Sequence, residues 1–377
     1  MKALFVSNDF SIFDPGSATR ERMRSYAAAI GELHIVSRAP DGATEVTEGP
    51  LTLHPVVAGK LFYLGAIEKK IRELVIQHGI EVVSAQDPFE HGRAALRAIR
   101  GIPAKLHLQI HTDFLSPWFV RSGVFRSMKV PAPALNRMRL QIADSVIPKA
   151  DGIRAVSERV ASSVAVTYGV PMPTVIPVPV ALDAPPPLAF PPHEFSFVFF
   201  TCSRLAPEKR IEDVLMALGR LGLHHDTVGL IVVGDGPERK KLETLTAKLG
   251  LTKRVLFMGE QKDARAYMAS ANAYIQASAY EGYGRTLIEA ALARIPIITT
   301  DVGIVGEVLK GYEDVLSTPP GDTANLAAHM EALIRDHQLR LSLVMNAEHS
   351  VRNHLACYPD IPAAIAEDLA VARVPRT

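Results

Sequence analysis

The chain has 377 residues, of which 48% are hydrophobic and 21% are charged. This composition excludes intrinsic disorder as the dominant state, because enough apolar surface is present to form a core. Lys and Arg total 41 and Asp and Glu total 40, so the formal charge is +1. A protein that binds nucleic acid through phosphates is normally far more basic, and we therefore expect no nucleic-acid partner.

Cysteine content and apolar run length bear on the compartment. Two cysteines, Cys202 and Cys357, are too few for a disulfide framework and fit a reducing compartment. The apolar run at the N-terminus is shorter than that of a signal peptide, and no stretch approaches the ~20 apolar residues of a membrane-spanning helix. We therefore expect a soluble, cytoplasmic protein.

Proline marks the expected domain boundary. Nine of the 27 prolines fall between Pro171 and Pro192, and proline breaks helices and stiffens extended connectors. We interpret residues 174–180 as the last strand of the first domain, followed by a linker. The predicted domains are residues 1–185 and 186–355, with a C-terminal segment, 356–377, expected to pack back on the first domain.

Short apolar runs alternate with amphipathic segments on both sides of this linker, which is typical of parallel sheets with crossover helices. The first domain has predicted strands at Ala3–Ser7, Leu33–Ser37, Val82–Ala85, Leu106–His111 and Ile153–Val156, and helices at Ser17–Ile30, Leu61–His78 and Phe89–Arg100. The second has strands at Phe197–Thr201, Leu230–Val233, Val255–Met258, Tyr274–Ala277 and Pro296–Thr299, and helices at Ile211–Leu218, Glu238–Leu249, Asp263–Ser270, Arg285–Ala293 and Thr323–Arg335. The pattern predicts an α/β chain of two open domains, with ligand bound in the cleft between the carboxyl ends of their sheets.

Two places in the first domain are candidates for ligand contact. Gly16 and Ser17 stand where a phosphate would meet a helix start, with Ser17 as the N-cap. The strand 105–111 places His107, Gln109 and His111 on one face, although parallel strands are usually apolar on both faces. His111 at the strand end could line a cleft. An ordinary capped helix and satisfied structural histidines are the alternatives.

Two segments of the second domain carry stronger signals. Arg204 follows the first strand and Lys209 stands near the next helix start, an arrangement that suits a diphosphate. After another strand, Glu281 precedes two glycines and a helix that carries Glu289. The glycines allow close backbone approach, so the amides of Gly284, Arg285 and Thr286 could face an anion. A solvated basic turn and a capped exposed helix are the alternatives.

Two further features, a missing acidic motif and a basic segment, each lead to an expectation. No Asp-x-Asp pair is present, so a carboxylate-held magnesium site has no evident ligands, and we expect no metal. Residues 91–140 hold nine Lys or Arg and a single acid, together with Trp118, Phe119, Phe125 and Met128. This mixture would suit contact with an anionic membrane surface, with a solvated basic face as the alternative.

Taken together, these motifs resemble the retaining glycosyltransferases of family four (glycosyl transferases group 1), which have the GT-B fold of two Rossmann-like domains facing across a cleft. The resemblance is carried by FTCSRLAPEKRIEDVLMAL, LIVVGDGPERKKLETL, VLFMGE and ASAYEGYGRTLIEAALARIPIITTDVG, within about residues 197–306. The first half of the chain matches only in its strand–helix pattern.

The resemblance implies a role for each candidate residue. Arg204 and Lys209 would contact the donor diphosphate, Glu281 the hydroxyls of the transferred sugar, and Glu289 the nucleotide ribose. It also places the amides of Gly284, Arg285 and Thr286 at phosphate or sugar, the loop after Gly259 at the base, His111 beside the sugar and Gly16 near the diphosphate. Where the family usually has a double glycine after the last core strand, this chain has Gly303-Ile304-Val305-Gly306.

The implied reaction moves a hexosyl group from a nucleotide diphosphate sugar to a hydroxyl acceptor, with anomeric configuration retained and without metal or other cofactor. The acceptor would be a glycan, a lipid-linked sugar or a small molecule, in envelope or exopolysaccharide synthesis, with the inner face of the membrane as an alternative location. Three other functions stay open. They are a nucleotide-sugar epimerase, a sugar-phosphate synthase or phosphorylase-like enzyme, and a non-catalytic nucleotide-sugar binding protein.

Overall fold

The structure, a computed structural model, describes residues 1–59, 62–121, 132–183, 185–222 and 225–373. The chain divides into two compact units. The first comprises Met1–Leu115, Arg137–Pro177 and Tyr358–Thr377, and the second comprises Ser116–Asn136 and Val178–Cys357. The chain thus enters the second unit after Pro177, whereas the sequence predicts the boundary between residues 185 and 186, and Ser116–Asn136 belongs to the second unit as well.

The first unit is built on an eight-stranded sheet. Its strands are β1 (Lys2–Ser7), β2 (Glu32–Arg38), β3 (Val46–Glu48), β4 (Leu51–Val56), β5 (Val82–Ala85), β6 (Lys105–Ile110), β7 (Gly152–Ala155) and β8 (Thr174–Val175). They lie in the order β3-β4-β2-β1-β5-β6-β7-β8, and every neighbouring pair is parallel except β3 with β4. The order reverses on either side of β1, as in a Rossmann sheet.

The helices of the chain, in order, are α1 (Ala18–Ile30), α2 (Tyr63–His78), α3 (Glu90–Ala98), α4 (Pro117–Arg121), α5 (Ala132–Val146), α6 (Glu158–Tyr168), α7 (Ile211–Arg220), α8 (Arg239–Lys248), α9 (Ala264–Met268), α10 (Arg285–Leu292), α11 (Thr323–Arg335), α12 (His337–Ala356) and α13 (Ile361–Arg373). Helix α1 begins where the sequence predicts, because the Ser17 hydroxyl accepts a hydrogen bond from Arg20 N at 3.1 Å. It ends at Gly31, whose φ of 105° closes the last turn.

The strand predicted at 174–180 is shorter than expected and covers Thr174–Val175. Pro177 and Pro179 have no N–H to donate to a neighbouring strand. The carbonyls of Ile176 and Pro177 instead accept hydrogen bonds from the buried guanidinium of Arg154 on β7. The Arg154 side chain therefore takes the place of the backbone hydrogen bonds that a continued β8 would make.

The C-terminal helix α13 packs against α1 and β7 in the first unit. Ile365 and Leu369 are part of the core beneath the sheet. The contact with β7 is close, because a Cβ at Gly152 would lie 2.5 Å from the Cβ of Ala372. The buried carboxylate of Asp368 accepts a hydrogen bond from His107 Nε2 on β6 at 2.9 Å.

The second unit is built on a six-stranded parallel sheet. Its strands are β9 (Phe197–Cys202), β10 (Val228–Val233), β11 (Val255–Gly259), β12 (Ala273–Gln276), β13 (Ile297–Thr300) and β14 (Leu316–Thr318), in the order β11-β10-β9-β12-β13-β14. Numbered from β9, this is the Rossmann order 3-2-1-4-5-6. The core contains Phe199, Leu230 and Ile275 from the strands, with Leu215 and Met330 from α7 and α11. Ligands in such sheets bind at the carboxyl ends of the strands where the order reverses, here beside β9.

Candidate functional site

A cavity of about 760 Å³ lies at this carboxyl edge of the second sheet. It is lined by the chain after β9 (Cys202–Arg204), the chain after β10 (Val233–Asp235), residues 260–266 after β11, and Arg285, Thr286 and Glu289 of α10. Its volume is that of a site for a ligand of nucleotide size. The cavity brings together four of the residues that the sequence singles out: Arg204, Arg285, Thr286 and Glu289.

The chains that leave β9 and β10 are in backbone contact. Ser203 N donates to Val233 O at 3.1 Å, and Leu205 N donates to Asp235 O at 2.9 Å. At Gly234, with φ of 121°, a Cβ would lie 1.9 Å from Ser203 O. The Gly-Asp-Gly segment is therefore explained by close packing of two loops, which places Arg204 at the rim of the cavity.

Two of the cations that line the cavity, Arg204 and Arg265, contact a carboxylate or carbonyls of the same unit. Arg204 Nη2 lies 2.5 Å from Glu208 Oε1, although the Arg204 side chain is 70% exposed. Arg265 donates to the carbonyls of Ala181 and Asp183. Lys262 also lines the cavity. Sequence reasoning missed Lys262 and Arg265, because nothing in their local sequence separates them from ordinary surface cations.

Lys209 and Glu281 form an ion pair across 72 positions of the sequence, with Lys209 Nζ 2.5 Å from Glu281 Oε1. Both side chains are largely buried, with 22% and 16% of their surfaces exposed. The Ser278 hydroxyl also donates to Glu281 Oε1 at 2.7 Å. The sequence predicts both residues as site residues but does not predict that they contact each other. Neither lines the 760 Å³ cavity.

Helix α10 begins at the glycine turn. Gly284 has φ of 87° and occupies the N-cap position, and Leu287 N donates to its carbonyl at 2.9 Å. The N–H groups of Arg285 and Thr286 have no acceptor within the helix. The loop that follows β13 covers this turn, because Ile304 N donates to Tyr283 O at 3.1 Å. At Gly303, with φ of 59°, a Cβ would lie 2.5 Å from the same carbonyl. Glycine is thus required at 303 even though the double glycine of the resemblance is absent.

Glu289 is a buried carboxylate on the second turn of α10, with 7% of its surface exposed. Burial raises its pKa, and Arg285 and Arg265 oppose that rise. Arg285 Nε lies 2.9 Å from Glu289 Oε1. Beside it, burial raises the pKa of the Cys202 thiol to about 11, with a further contribution from the charge of Glu289. The carboxylate of Glu289 therefore sits in a dry part of the cavity, where it is a strong hydrogen-bond acceptor.

Ser203 adds a polar atom that the sequence analysis did not single out. It lines the cavity, and its buried hydroxyl has no hydrogen-bond partner among the described residues. A buried hydroxyl without a partner is costly. A ligand in the cavity would supply the missing partner.

The predicted residues of the first unit, Gly16 and His111, are exposed. The nearest atom to a Cβ at Gly16 would be 3.8 Å away, so local packing does not demand glycine there. His111 directly follows β6, while His107 and Gln109 on the same face are buried and bonded to Ser84. The polar face of β6 thus combines satisfied structural residues with one exposed histidine.

The basic window 91–140 is partly neutralised by acids from outside it. Arg139 pairs with Glu90 at 2.9 Å and Lys105 pairs with Asp151 at 3.0 Å. Phe119 is buried and packs edge-on against Tyr280, so it is not available to a membrane surface. Phe125, Arg126, Met128 and Lys129 lie outside the described residues. Within the described chain, the helices are all too short or too polar to cross a membrane.

Two family models match the chain. "Glycosyl transferases group 1" matches residues 190–350, and "Glycosyltransferase Family 4" matches residues 18–184. Among curated proteins, the chain is 32% identical over 143 residues to N-acetyl-alpha-D-glucosaminyl L-malate synthase of Bacillus anthracis, covering 38% of this chain and 37% of that protein. It is 30% identical over 177 residues to the lipopolysaccharide core biosynthesis glycosyltransferase LpsD of Rhizobium meliloti, covering 42% of this chain and 52% of that protein.

The chain therefore aligns with about half or less of the length of these curated relatives. Similarity to solved structures extends over the whole fold. The crystal structure of HepE from Anabaena in complex with UDP-glucose superimposes with a TM-score of 0.72 at 20% identity, covering 98% of each chain.

Glu289→Gln should make the chain more stable at neutral pH. Because the folded-state pKa of Glu289 is raised by burial, ionisation of this carboxyl costs stability as pH rises above its unfolded value of about 4.3. The full gain is expected above the folded-state pKa, and none below about pH 4, where the carboxyl is protonated in both states. The unfolding midpoint should rise by about 2–4 °C per kcal/mol gained.

Thermal unfolding between pH 4 and 8 measures this, with Glu367→Gln, at an exposed position of α13, as the control. A variant that is less stable than the parent at pH 7.5, or a difference that does not change with pH, would contradict the prediction.

Proposed function

Because this chain belongs to the group 1 glycosyltransferases of the GT-B fold, we propose that it moves a hexosyl group from a nucleotide diphosphate sugar to a hydroxyl acceptor. In this proposal the anomeric configuration is retained and no metal ion takes part. The observation that carries it is the cavity beside β9, where cations, a helix start and a buried carboxylate line one space of nucleotide size.

The donor nucleotide fits this cavity by charge and by depth. Ribose hydroxyls would donate to the Glu289 carboxylate, which is buried and can accept two such bonds. The base would contact residues 260–263, which line the same space. The diphosphate would then lie between Arg204 and the first turn of α10, where free N–H groups favour an anion. The UDP-glucose complex of HepE, which shares the fold, supports a donor of this class.

Breaking the glycosidic bond leaves negative charge on the departing diphosphate, and stabilising that charge would be the main catalytic effect. Arg204 and Lys209 would supply it. They contact Glu208 and Glu281, so the diphosphate would take over part of their hydrogen bonding. The departing phosphate oxygen would accept the proton of the acceptor hydroxyl. Glu281, held by Ser278 and Lys209, would position the sugar hydroxyls.

The acceptor is proposed from chemistry and from similarity. LpsD, a relative over 42% of this chain, is named for lipopolysaccharide core biosynthesis, which supports a glycan or lipid-linked acceptor in envelope synthesis. His111 is exposed at the end of β6 and would contact the transferred sugar, and Gly16 would lie near the diphosphate. Peripheral membrane contact through exposed cations of the basic window, such as Arg100 and Arg121, is part of this proposal, without participation of the buried Phe119.

Incubation with a panel of nucleotide diphosphate sugars and candidate acceptors tests the function directly. We expect transfer from at least one donor, a product whose anomeric coupling constant by NMR matches that of the donor, and an unchanged rate in excess chelator. An inverted product would contradict retention, and activity that requires added magnesium would contradict the metal-free step. Conversion of the donor without acceptor would indicate an epimerase. Binding of donors without transfer or hydrolysis would indicate a binding protein.

Arg204→Ala and Lys209→Ala should each lower kcat/KM by about 30- to 1000-fold, corresponding to ~2–4 kcal/mol, because each removes a cation from the leaving diphosphate. Lys241→Ala on α8 is the matched control, since it also breaks a lysine–carboxylate pair, but its partner Glu238 is not among the residues assigned to the donor. Steady-state kinetics and the unfolding midpoint are measured together. A loss below tenfold in both site variants, with the fold intact, would exclude these roles.

Glu281→Gln and Glu289→Gln should differ in phenotype. If Glu289 holds the ribose and Glu281 the sugar, Glu289→Gln should weaken binding of the free nucleoside diphosphate, whereas Glu281→Gln should reduce transfer with little effect on that affinity. Calorimetry with the nucleoside diphosphate and single-turnover kinetics separate the two. Equal losses of nucleotide affinity would mean that the two roles are wrongly assigned.

A further inference from the structure

Three histidines of the first unit lie close together in the fold. None of them is among the candidate site residues described above. His34 lies on β2, His54 on the neighbouring parallel strand β4, and His78 is the last residue of α2. One ring nitrogen from each lies within 4.8 Å of the other two. In the described part of the chain, no other group of three His, Cys, Asp or Glu side chains meets this spacing.

The buried pair of this cluster has an unusual hydrogen-bond arrangement. His34 Nδ1 lies 2.8 Å from His54 Nε2. The outer nitrogens face carboxylates: His34 Nε2 is 3.1 Å from Glu32 Oε1, and His54 Nδ1 is 2.7 Å from Glu45 Oε2. Ionised carboxylates only accept hydrogen bonds, so both outer nitrogens carry the N–H.

A neutral imidazole has one N–H, so the inner nitrogens of His34 and His54 both present lone pairs to each other. Two lone pairs at 2.8 Å repel unless a proton or a cation lies between them. Both rings are buried, with 3% and 1% of their surfaces exposed. A metal ion bound by both inner nitrogens would relieve the repulsion while both carboxylate contacts are kept.

His78 supplies the third donor. Its ring centroid is 4.3 Å from that of His34, and its side chain is only partly buried. Its ring has no hydrogen bond to any described residue, so its nitrogens are available. The side chain ends α2, which packs against both β2 and β4.

We propose that His34, His54 and His78 bind one divalent transition-metal ion of the zinc class. Imidazole nitrogen suits zinc and its neighbours rather than magnesium or calcium. Tetrahedral zinc with nitrogen at about 2.0–2.1 Å holds its ligand atoms about 3.3 Å apart. The inner nitrogens, now 2.8 Å apart, would separate as the two facing rings turn toward the ion, and the His78 nitrogen would approach from within 4.8 Å. Carboxylates on the outer nitrogens are the usual outer shell of histidine zinc ligands. Water completes the four ligands on the partly exposed side of His78.

Two lysines lie near this site, and each has a carboxylate partner. Lys2 Nζ is 3.1 Å from Glu32 Oε2, and Lys70 Nζ is 3.1 Å from Glu73 Oε1. Glu45 beside His54 is then not needed to balance either lysine, and its charge favours a cation at the rings. The ion would join β2, β4 and the end of α2, so its function is to stabilise this end of the first unit. It is separate from sugar transfer, and it does not rest on the proposed function.

The test uses the full chain, stripped with chelator and titrated with zinc chloride by calorimetry in the absence of nucleotide. We expect one zinc per chain, a higher unfolding midpoint in zinc than in chelator, and tetrahedral absorption bands with cobalt(II). His78→Ala should weaken zinc binding at least 100-fold, and Glu45→Gln about 10- to 100-fold. Both side chains are partly exposed, so both variants should fold. His349→Ala, at an exposed position of α12, is the matched control.

Zinc binding that is equal in the parent and in His78→Ala, the absence of one-to-one binding, or cobalt spectra without tetrahedral bands would each overturn the proposal. The transfer rate of His78→Ala, measured well below its unfolding midpoint, should equal that of the parent. A chain that transfers sugar without binding zinc would overturn this inference alone, and a chain that binds zinc without transfer would overturn the proposed function alone.

Discussion

The parallel pairing of β9 with β10 on one side and β12 on the other is the constraint on which the second unit depends. Parallel strands must all end at the same edge of the sheet, so the loops after β9, β10 and β12 are brought to one place. The cavity, the helix start at Gly284 and the Lys209–Glu281 pair all lie along these loops. Close backbone contacts at Gly234 and Gly303 then fix how near the loops approach.

Charge at this edge of the second sheet is balanced in pairs. Arg204 contacts Glu208, Lys209 contacts Glu281, and Arg285 contacts Glu289. Such pairs keep long side chains oriented, so less conformational entropy is lost when an anion arrives. They also explain why the chain needs no large net charge for a site that is proposed to bind a diphosphate. The burial of Glu289 is the cost of this arrangement, because a carboxylate there is held in a dry environment.

Two sequence patterns of the first half of the chain, the polar face of β6 and the basic window 91–140, are partly explained by contacts within the fold. The polar face of β6 is occupied at His107 and Gln109 by bonds to Ser84, Arg154 and Asp368. Since Asp368 belongs to α13, this buried network fastens the end of the chain to the sheet. The basic window is likewise changed by folding, because Glu90 and Asp151 stand outside it in sequence but beside its cations in space.

The sequence by itself determined the α/β architecture and the candidate cavity residues on the chains after β9 and at the start of α10. Apolar periodicity and glycine and proline placement are local properties, and they predicted most of the strands and helices within a few residues. They missed the strands β3, β4 and β14 and the helices α4, α5, α6, α12 and α13.

Only the tertiary structure decided which distant side chains meet. Lys209 and Glu281 are 72 positions apart, His107 and Asp368 are 261 apart, and the three histidines come from two strands and a helix. Such contacts depend on strand order and on side-chain direction, and neither leaves a periodic signal in the chain.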